Sequence, residues 1–397
     1  MNILFIAGQS IRSNSSVTMM NLAYINGLVD DGNNVMVVTA SLPENHISRD
    51  DGFNLGPEVE IEEYSVSATF NALSNKKEKS DNILKTNIKN ILRKLYYSFS
   101  IYDSQKGWVN NAEKIEYKNY YDLIISSSDP KHSHLFAKKL IDLGKVKYGK
   151  WIQIWGDPMY LDITRKSIFF NKRLYKEEEY LISSADKILY VSPFTAEKQK
   201  QLFPRYKDKI DYVLIPYYSL DESEANKLNG NDMIFSYFGD YNSHIRNLEP
   251  LYNAALETNI NLLIRGNSDK PLPSKKNIDV HRRISIQKLK ELENKTDVFI
   301  HLCNSHGTQI PAKLYYYSGT KKPILFILDG DVERIEQFYR PFNRYIFCKN
   351  NKEEIKNEIN KIRSGYYSNT EIKVPEELAP VYIARNIISK VNCQNTV

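Results

Sequence analysis

His301-Leu302-Cys303-Asn304-Ser305-His306-Gly307-Thr308-Gln309 continues as Ile310-Pro311-Ala312-Lys313-Leu314-Tyr315-Tyr316-Tyr317, and a second apolar run, Ile324 to Leu328, follows. Val298 to Leu302 is itself an apolar run that feeds the polar loop. Short apolar runs bounded by polar turns predict buried strands. Pro311 suits the first turn of a helix, where its missing N–H would have no partner anyway. The order is therefore strand, polar loop, helix, strand. In open parallel sheets, ligands bind beyond the carboxyl ends of strands, where helices begin. A helix N-terminus offers free N–H groups and a partial positive charge, so a phosphate is its natural guest.

The same rhythm extends in both directions. Ile234 to Phe238, Leu262 to Arg265, Ile278 to His281 and Tyr345 to Phe347 are the other strands expected in the second half. Leu248 to Glu257, Ile286 to Glu293, Val332 to Phe338 and Glu353 to Ile362 are the helices between them. Pro216 to Asp232 is polar and predicts a linker. In the first half, Ile3 to Ala7 ends at Gly8, helix Val17 to Val29 follows, and Val35 to Val38 is the next strand. Leu123 to Ile125, Trp151 to Trp155, Lys187 to Val191 and Tyr212 to Ile215 continue the strands. Strands alternating with helices predict parallel sheets covered on both faces. Gly8 lacks the partner glycines of a dinucleotide fingerprint.

The segment Pro311-x-Lys313-Leu314-Tyr315-x-Tyr317, followed by Lys321-Lys322-Pro323-Ile324-Leu325, resembles the donor-binding segment of GT-B glycosyltransferases. It is most similar to the retaining, family-4-like enzymes of bacterial surface-polysaccharide assembly. The resemblance implies an α/β fold of two Rossmann-like domains facing a cleft, with a C-terminal helix crossing back to the first domain. It sets the acceptor domain at 1–216 plus 376–397 and the nucleotide-sugar domain at 217–375. Many relatives carry two Glu eight positions apart in this segment; here Thr308 and Tyr316 occupy those positions. Tyr316 brings no charge to a donor ribose.

A diphosphate leaving group must be neutralised. Without a metal, Lys, Arg and helix ends do this. The resemblance implies a glycine-rich turn after the first strand of the second half, at Gly239, and a phosphate-binding base beyond it, matched by Arg246. Arg presents a bidentate fork to phosphate. Lys313 is the second cation. Arg265 and Gly266 end a neighbouring strand, where a base or ribose would sit. His301, Asn304, Ser305, Thr308, Gln309, Ile310, Pro311 and Tyr316 complete the expected donor contacts. Surface caps and ordinary loop polarity account for several of the same residues. On the acceptor side the candidates are Gly8, Gln9, Ser13, Ser15, Trp108, Asp129 and Asp157. Asp157, after Trp155-Gly156, could orient or deprotonate an acceptor hydroxyl; Asp-Pro also simply starts turns. A Ser cap on an ordinary loop accounts equally for Ser13 to Ser16.

Rival signals are few. Asp329-Gly330-Asp331 after a strand resembles the metal-holding Asp-x-Asp of single-domain GT-A glycosyltransferases, but Asp-Gly is also a common turn, and the turn is the better fit. His132 and His134 have no third ligand nearby, so no metal or other cofactor is expected beyond the donor substrate. Cys303, Cys348 and Cys393 give no disulfide framework. A nucleotide-sugar epimerase of similar fold and a degenerate, non-catalytic glycosyltransferase are the alternative functions.

The 397 residues suit two domains. A net charge of +6 is mildly basic; it fits a nucleotide-sugar or an anionic membrane surface. No nucleic-acid module is visible. No apolar run is long enough for a membrane span. Met1-Asn2-Ile3 runs straight into a strand without a leader pattern, so a cytoplasmic chain is expected. Within 83–99, Ile83, Leu84, Ile88, Ile91, Leu92, Leu95, Tyr96 and Phe99 recur at helical spacing among Lys85, Lys89, Arg93 and Lys94. A basic amphipathic helix can lie on an anionic membrane, which would make the protein peripheral. An ordinary core-facing helix gives the same stripe.

Overall fold

Central strands that are almost wholly apolar set the architecture. β1 (Asn2–Ala7), β11 (Val298–Leu302) and β12 (Ile324–Leu328) are buried along nearly their whole length. Only parallel strands with both faces covered can be this apolar. The computed structural model describes residues 1–46, 48–52, 55–66, 100–165, 171–221, 230, 232–368 and 370–392. The basic helix expected at 83–99 and Cys393 lie outside the described residues.

The chain divides into two units, Met1–Ile215 with Pro380–Val397, and Pro216–Ala379. In the first unit the strands are β1, β2 (Asn34–Ala40), β3 (Glu60–Tyr64), β4 (Tyr117–Ser128), β5 (Val146–Trp155), β6 (Lys187–Tyr190) and β7 (Ile210–Tyr212). They form one parallel sheet in the order β3-β2-β1-β4-β5-β6-β7. β3 reads Glu-Ile-Glu-Glu-Tyr and is largely exposed, as a charged edge strand should be. The order reverses between β1 and β4, so ligand chemistry is expected beyond their carboxyl ends.

Helix α1 (Ser16–Asp30) begins where the Ser15 hydroxyl accepts the Thr18 N–H at 3.1 Å. Gly27, inside α1, admits another backbone: a Cβ there would lie 2.2 Å from the Pro380 carbonyl oxygen. Further helices of this unit, among the described residues, are α2 (His132–Asp142), α3 (Asn171–Ser183) and α4 (Pro193–Leu202). The C-terminal helix, Pro380–Asn392, belongs to this unit and is tied by ion pairs Arg385–Asp31 at 2.7 Å and Lys390–Asp211 at 2.5 Å.

The second unit has strands β8 (Ile234–Phe238), β9 (Asn261–Arg265), β10 (Ile278–His281), β11, β12 and β13 (Tyr345–Lys349). Their order is β10-β9-β8-β11-β12-β13, again parallel and reversing at the first strand. Its helices are α5 (Glu249–Thr258), α6 (Ile286–Lys295), α7 (Lys313–Ser318), α8 (Val332–Tyr339) and α9 (Lys352–Arg363). One face of β11 and β12 turns Ile300, Leu302, Leu325 and Ile327 into an aliphatic core. The other carries aromatic rings. Phe299 stacks on Tyr317 at 4.0 Å, and Phe326 packs against Tyr339 at 5.5 Å.

Three expectations change. The strand expected at Tyr212 to Ile215 lies earlier, at Ile210–Tyr212. β4 starts six residues before Leu123, in the polar run Tyr117-Lys118-Asn119-Tyr120, with an irregular register against β5 there. α7 starts at Lys313, so Pro311 precedes the helix instead of opening it. Its entry is a tight turn, with Leu314 N–H bonded to Pro311 O and Tyr315 N–H to Ala312 O, three residues apart. Six residues sum to a small dipole, so charged side chains must carry any anion binding here.

Candidate functional site

In the second unit the carboxyl ends of β8 and β11 are joined by one side-chain knot. Arg246 donates from Nε and Nη2 to Asn304 Oδ1, at 3.1 and 2.8 Å. Its Nη1 donates to Asp240 O at 2.9 Å. Asn304 in turn donates from Nδ2 to Gln309 O at 2.9 Å. Ser305 binds the same loop, with Oγ donating to His244 O at 2.9 Å and its N–H to Ile245 O at 2.7 Å. The polar loop 304–309 and the loop after β8 are thus one body, and Arg246 is half-buried at their join.

Glycine completes this end of the sheet. Gly239 N–H donates to Arg265 O at 2.9 Å. A Cβ on Gly266 would lie 1.8 Å from Gly239 O. The two strand ends can meet only because position 266 has no side chain. Asp240 then receives two neighbours: the Asn267 N–H at 2.8 Å and the Arg283 guanidinium at 2.7 and 3.0 Å.

Lys313 is half-buried at the start of α7. Its Nζ lies 4.0 Å from Glu293 Oε1 and 5.5 Å from the centre of the Tyr317 ring. Burial lowers its pKa, the Glu293 carboxylate opposes this, and the Arg283 charge adds to the lowering. Three cations, Arg246, Arg283 and Lys313, therefore serve this end of the unit. Sequence alone does not single out Arg283, Asp240 or Glu293. Only Arg282-Arg283 just past a strand hints at the first.

Several expected donor residues have other tasks here. Arg265 is committed to Asp279, with Nη2 to Oδ2 at 2.5 Å and Nη1 to two backbone carbonyls. It braces β9 against β10. His301 points into the aromatic face, its ring edge-on to Phe326 at 4.8 Å. Burial, with the Arg246 charge, pushes its pKa down to about 3, so it is neutral, and its Nε2 has no hydrogen-bond partner among the described residues. Ile310 and Tyr316 are buried, Thr308 and Pro311 partly so. The Asp-x-Asp sequence is a turn. Gly330 takes φ +69°, Asp329 binds its own Gly330 N–H and the Asn350 amide at 2.8 Å, and Asp331 sits 3.6 Å from Arg334. Asp331 precedes α8 but makes no side-chain cap.

In the first unit a cavity of about 900 Å³ opens beyond the ends of β4 and β5. Gln9, Asp129 and Asp157 line it, as do Asp103, Lys131 and Arg165, which sequence alone does not single out. Lys131 is ion-paired with Asp129. Burial would lower its pKa, but the fields of Asp129, Asp157 and Asp162 raise it, so it stays charged. Asp103 Oδ1 lies 3.2 Å from His132 Nδ1 and accepts the Gln105 N–H at 2.8 Å. Burial would raise the Asp103 carboxyl; these partners outweigh it and hold it below the usual range.

The other acceptor-side candidates make contacts within the protein. Trp108 is fully buried and stacks on Phe136 at 4.1 Å, so it belongs to the core. Gly8 is hemmed in: its N–H donates to Ser133 Oγ at 2.8 Å, and a Cβ would lie 2.7 Å from His132 Nε2. Ser13 binds Gln9 Nε2 at 3.1 Å, and Ser15 caps α1. His134 does not pair with His132; it bonds Ser126 Oγ at 2.8 Å and lies on Trp155. Among the described residues no three His, Cys, Asp or Glu side chains cluster as metal ligands.

The loop carrying Asp157 is anchored from below by Glu178. This fully buried carboxylate accepts the Tyr160 N–H at 2.8 Å and the Tyr190 hydroxyl at 3.1 Å. Burial raises its pKa above the ordinary 4.5, although the Tyr160, Met159 and Tyr190 donors pull it down. The folded chain therefore keeps this proton where the unfolded chain has released it, and stability falls as pH rises above 4.5. Glu178→Gln is expected to flatten that fall in denaturant unfolding compared from about pH 4.5 to about pH 7.5. Parallel profiles for the two proteins would show that Glu178 contributes none of it.

No family model and no curated protein matches the chain. Solved structures do. The catalytic domain of starch synthase IV from Arabidopsis thaliana, bound to ADP and acarbose, aligns with a TM-score of 0.61 at 8% identity, covering 99% of each chain. A sucrose-phosphate synthase from Thermosynechococcus elongatus aligns at 0.53 and 14%, covering 99% of this chain and 94% of that one. The lipopolysaccharide outer core galactosyltransferase WaaB aligns at 0.53 and 13%, covering 99% and 100%. Identities this low speak to fold, and the fold they share with this chain is GT-B, two Rossmann-like parallel sheets in succession along one polypeptide.

Proposed function

We propose that this chain is a glycosyltransferase that moves a sugar from a nucleotide-sugar to a glycan or lipid-linked acceptor in surface-polysaccharide assembly. The observation that carries this is the knot of Arg246 and Asn304 at the switch point of the second sheet, with Lys313 at the head of the helix that follows the same loop. A guanidinium held by one amide and one carbonyl keeps its planar fork oriented before any ligand arrives. That is how a leaving diphosphate is best stabilised. In this proposal Arg246 and Lys313 neutralise the diphosphate without a metal, and Arg283 joins them. The donor phosphate can itself take up the acceptor proton, which suits retention and needs no protein nucleophile. The cavity in the first unit receives the acceptor, with Asp157 orienting its hydroxyl. No helix among the described residues is long and apolar enough to cross a membrane. Any approach to a membrane would be peripheral, from the cytoplasmic side.

The test is thermal stabilisation by a panel of nucleoside diphosphates and nucleotide-sugars, with and without Mn²⁺. A ligand at one hundred times its Kd adds about 2.7 kcal/mol. The expected result is a metal-independent shift with one base. A shift that needs Mn²⁺ and is lost in Asp331→Ala would replace this proposal with the Asp-x-Asp one. No shift with any nucleotide would favour a non-catalytic partner, to which Thr308 and Tyr316 in place of the two Glu already point.

A further inference from the structure

We propose that the sugar entering the first-unit cavity is rich in hydroxyls and neutral or amino-bearing, and that phosphorylated and carboxylated sugars are excluded. This rests on the cavity being the acceptor site. Four carboxylates line it, Asp103, Asp129, Asp157 and Asp162, against two cations, Lys131 and Arg165, a net of −2. Both cations are already engaged by the protein. Arg165 donates from Nη1 to Ile101 O at 2.9 Å and from Nη2 to Ser100 O at 2.5 Å. Lys131 is paired with Asp129, and its side chain is only 11% exposed.

An arriving anion would thus meet, among the described residues, twice as many carboxylates as cations. Part-burial weakens salt screening, so the repulsion persists at cellular ionic strength. Hydroxyls face the opposite situation. A carboxylate offers several lone pairs and no donor, so each can accept from neighbouring hydroxyls of one sugar ring. An ammonium on the ring would add an attraction of the same origin. The volume, about 900 Å³, suits one or a few sugar rings. The cations that suit phosphate, Arg246, Arg283 and Lys313, all belong to the second unit. Charge is thereby sorted by substrate: anionic donor chemistry in one unit, uncharged or cationic acceptor chemistry in the other.

The experiment titrates the full chain by ligand-observed NMR with matched methyl glycosides. One set is glucoside, glucosaminide, glucuronide and glucoside 6-phosphate; the other is the corresponding galacto set. Two sets are used because the ring stereochemistry is unknown. The neutral or amino member of at least one set is expected to bind, with its uronate and phosphate at least about tenfold weaker. That gap should narrow at high salt, and in Asp157→Asn/Asp162→Asn. The salt series needs no variant, so a misfolded double variant would not remove the test. Equal or tighter binding of the anionic members overturns the proposal, and so does a gap that ignores salt. Binding by none of the glycosides, with nucleotide stabilisation intact, overturns the acceptor cavity and leaves the donor site standing. Glycoside binding with no nucleotide response does the reverse.

Discussion

Arg246→Ala is expected to lower kcat/KM by about a hundredfold to a thousandfold, the range for losing one preorganised donor to a developing oxyanion. The loss should fall mainly on kcat, because the charge on the leaving diphosphate grows in the transition state. Nucleotide-induced stabilisation should shrink with it. Two effects add. The fork itself disappears, and Asn304 Oδ1 loses both its Arg246 contacts at 3.1 and 2.8 Å. Asn304 also steers the polar loop through Gln309 O, so the loop loses an anchor.

Arg246→Lys separates these effects. It restores a charge but not a planar fork, and one ammonium cannot reach Asn304 and Asp240 O in the same geometry. Recovery is expected to be small, less than about a tenth of the lost activity. Full recovery would mean that charge alone matters at this position. Wild-type kinetics in an Arg246→Ala/Lys313→Ala double variant would remove the transferase proposal altogether, since both diphosphate partners would be dispensable. Lys313 contributes less by itself. Its pKa is lowered by burial and by the Arg283 charge, and Glu293 competes for its ammonium.

The central strands of the two sheets were legible because they are buried on both faces. Runs such as Phe299-Ile300-His301-Leu302 and Ile324 to Leu328 have no polar face that could belong to a surface. Where a strand leaves the core the signal fades: the start of β4 is exposed over Lys118, Asn119 and Tyr120, and no periodicity marks it. The site was legible in part. The resemblance points to Arg246, and Lys313 stands at the head of a helix. What sequence cannot display is commitment. Arg265 carries the same label as Arg246, yet Asp279, fourteen residues on, takes its guanidinium. Trp108 has the pattern of an exposed loop aromatic until Phe136, far along the chain, supplies its stacking partner. His301 has the pattern of a ligand contact because strand alternation alone does not say which face is aromatic core. The abundant Tyr residues carry little weight as a composition, although Tyr315, Tyr317 and Tyr339 build that face, with Tyr315 and Tyr339 hydroxyls bonded at 2.6 Å. Pairwise tertiary partners decide each of these cases, and they lie beyond local pattern.

Gly266→Ala should then be the most damaging small substitution in the second unit. The added methyl would sit 1.8 Å from Gly239 O and 2.5 Å from Gly239 C, both backbone atoms that no rotamer change can move. Either the β9 end or the turn after β8 must shift. Forced overpacking costs about 1–3 kcal/mol when side chains yield, so a backbone clash belongs at or above the top of that range. For a unit of this size roughly 3 kcal/mol corresponds to a fall of about 6–12 °C in Tm. The shift would also displace Asp240 and, through its carbonyl, Arg246, so nucleotide stabilisation should fall in the same variant. Gly144→Ala is the control. Gly144 has φ +65° but no atom within 4 Å of the place a methyl would take, so only backbone strain of about 1 kcal/mol is expected. Differential scanning calorimetry of the two variants, each with and without the stabilising nucleotide, distinguishes crowding from strain. A Gly266→Ala protein that melts like Gly144→Ala and still responds to nucleotide would show that the strand ends can part without disturbing Arg246, and the close approach of Gly239 and Gly266 would then have no part in holding the donor site together.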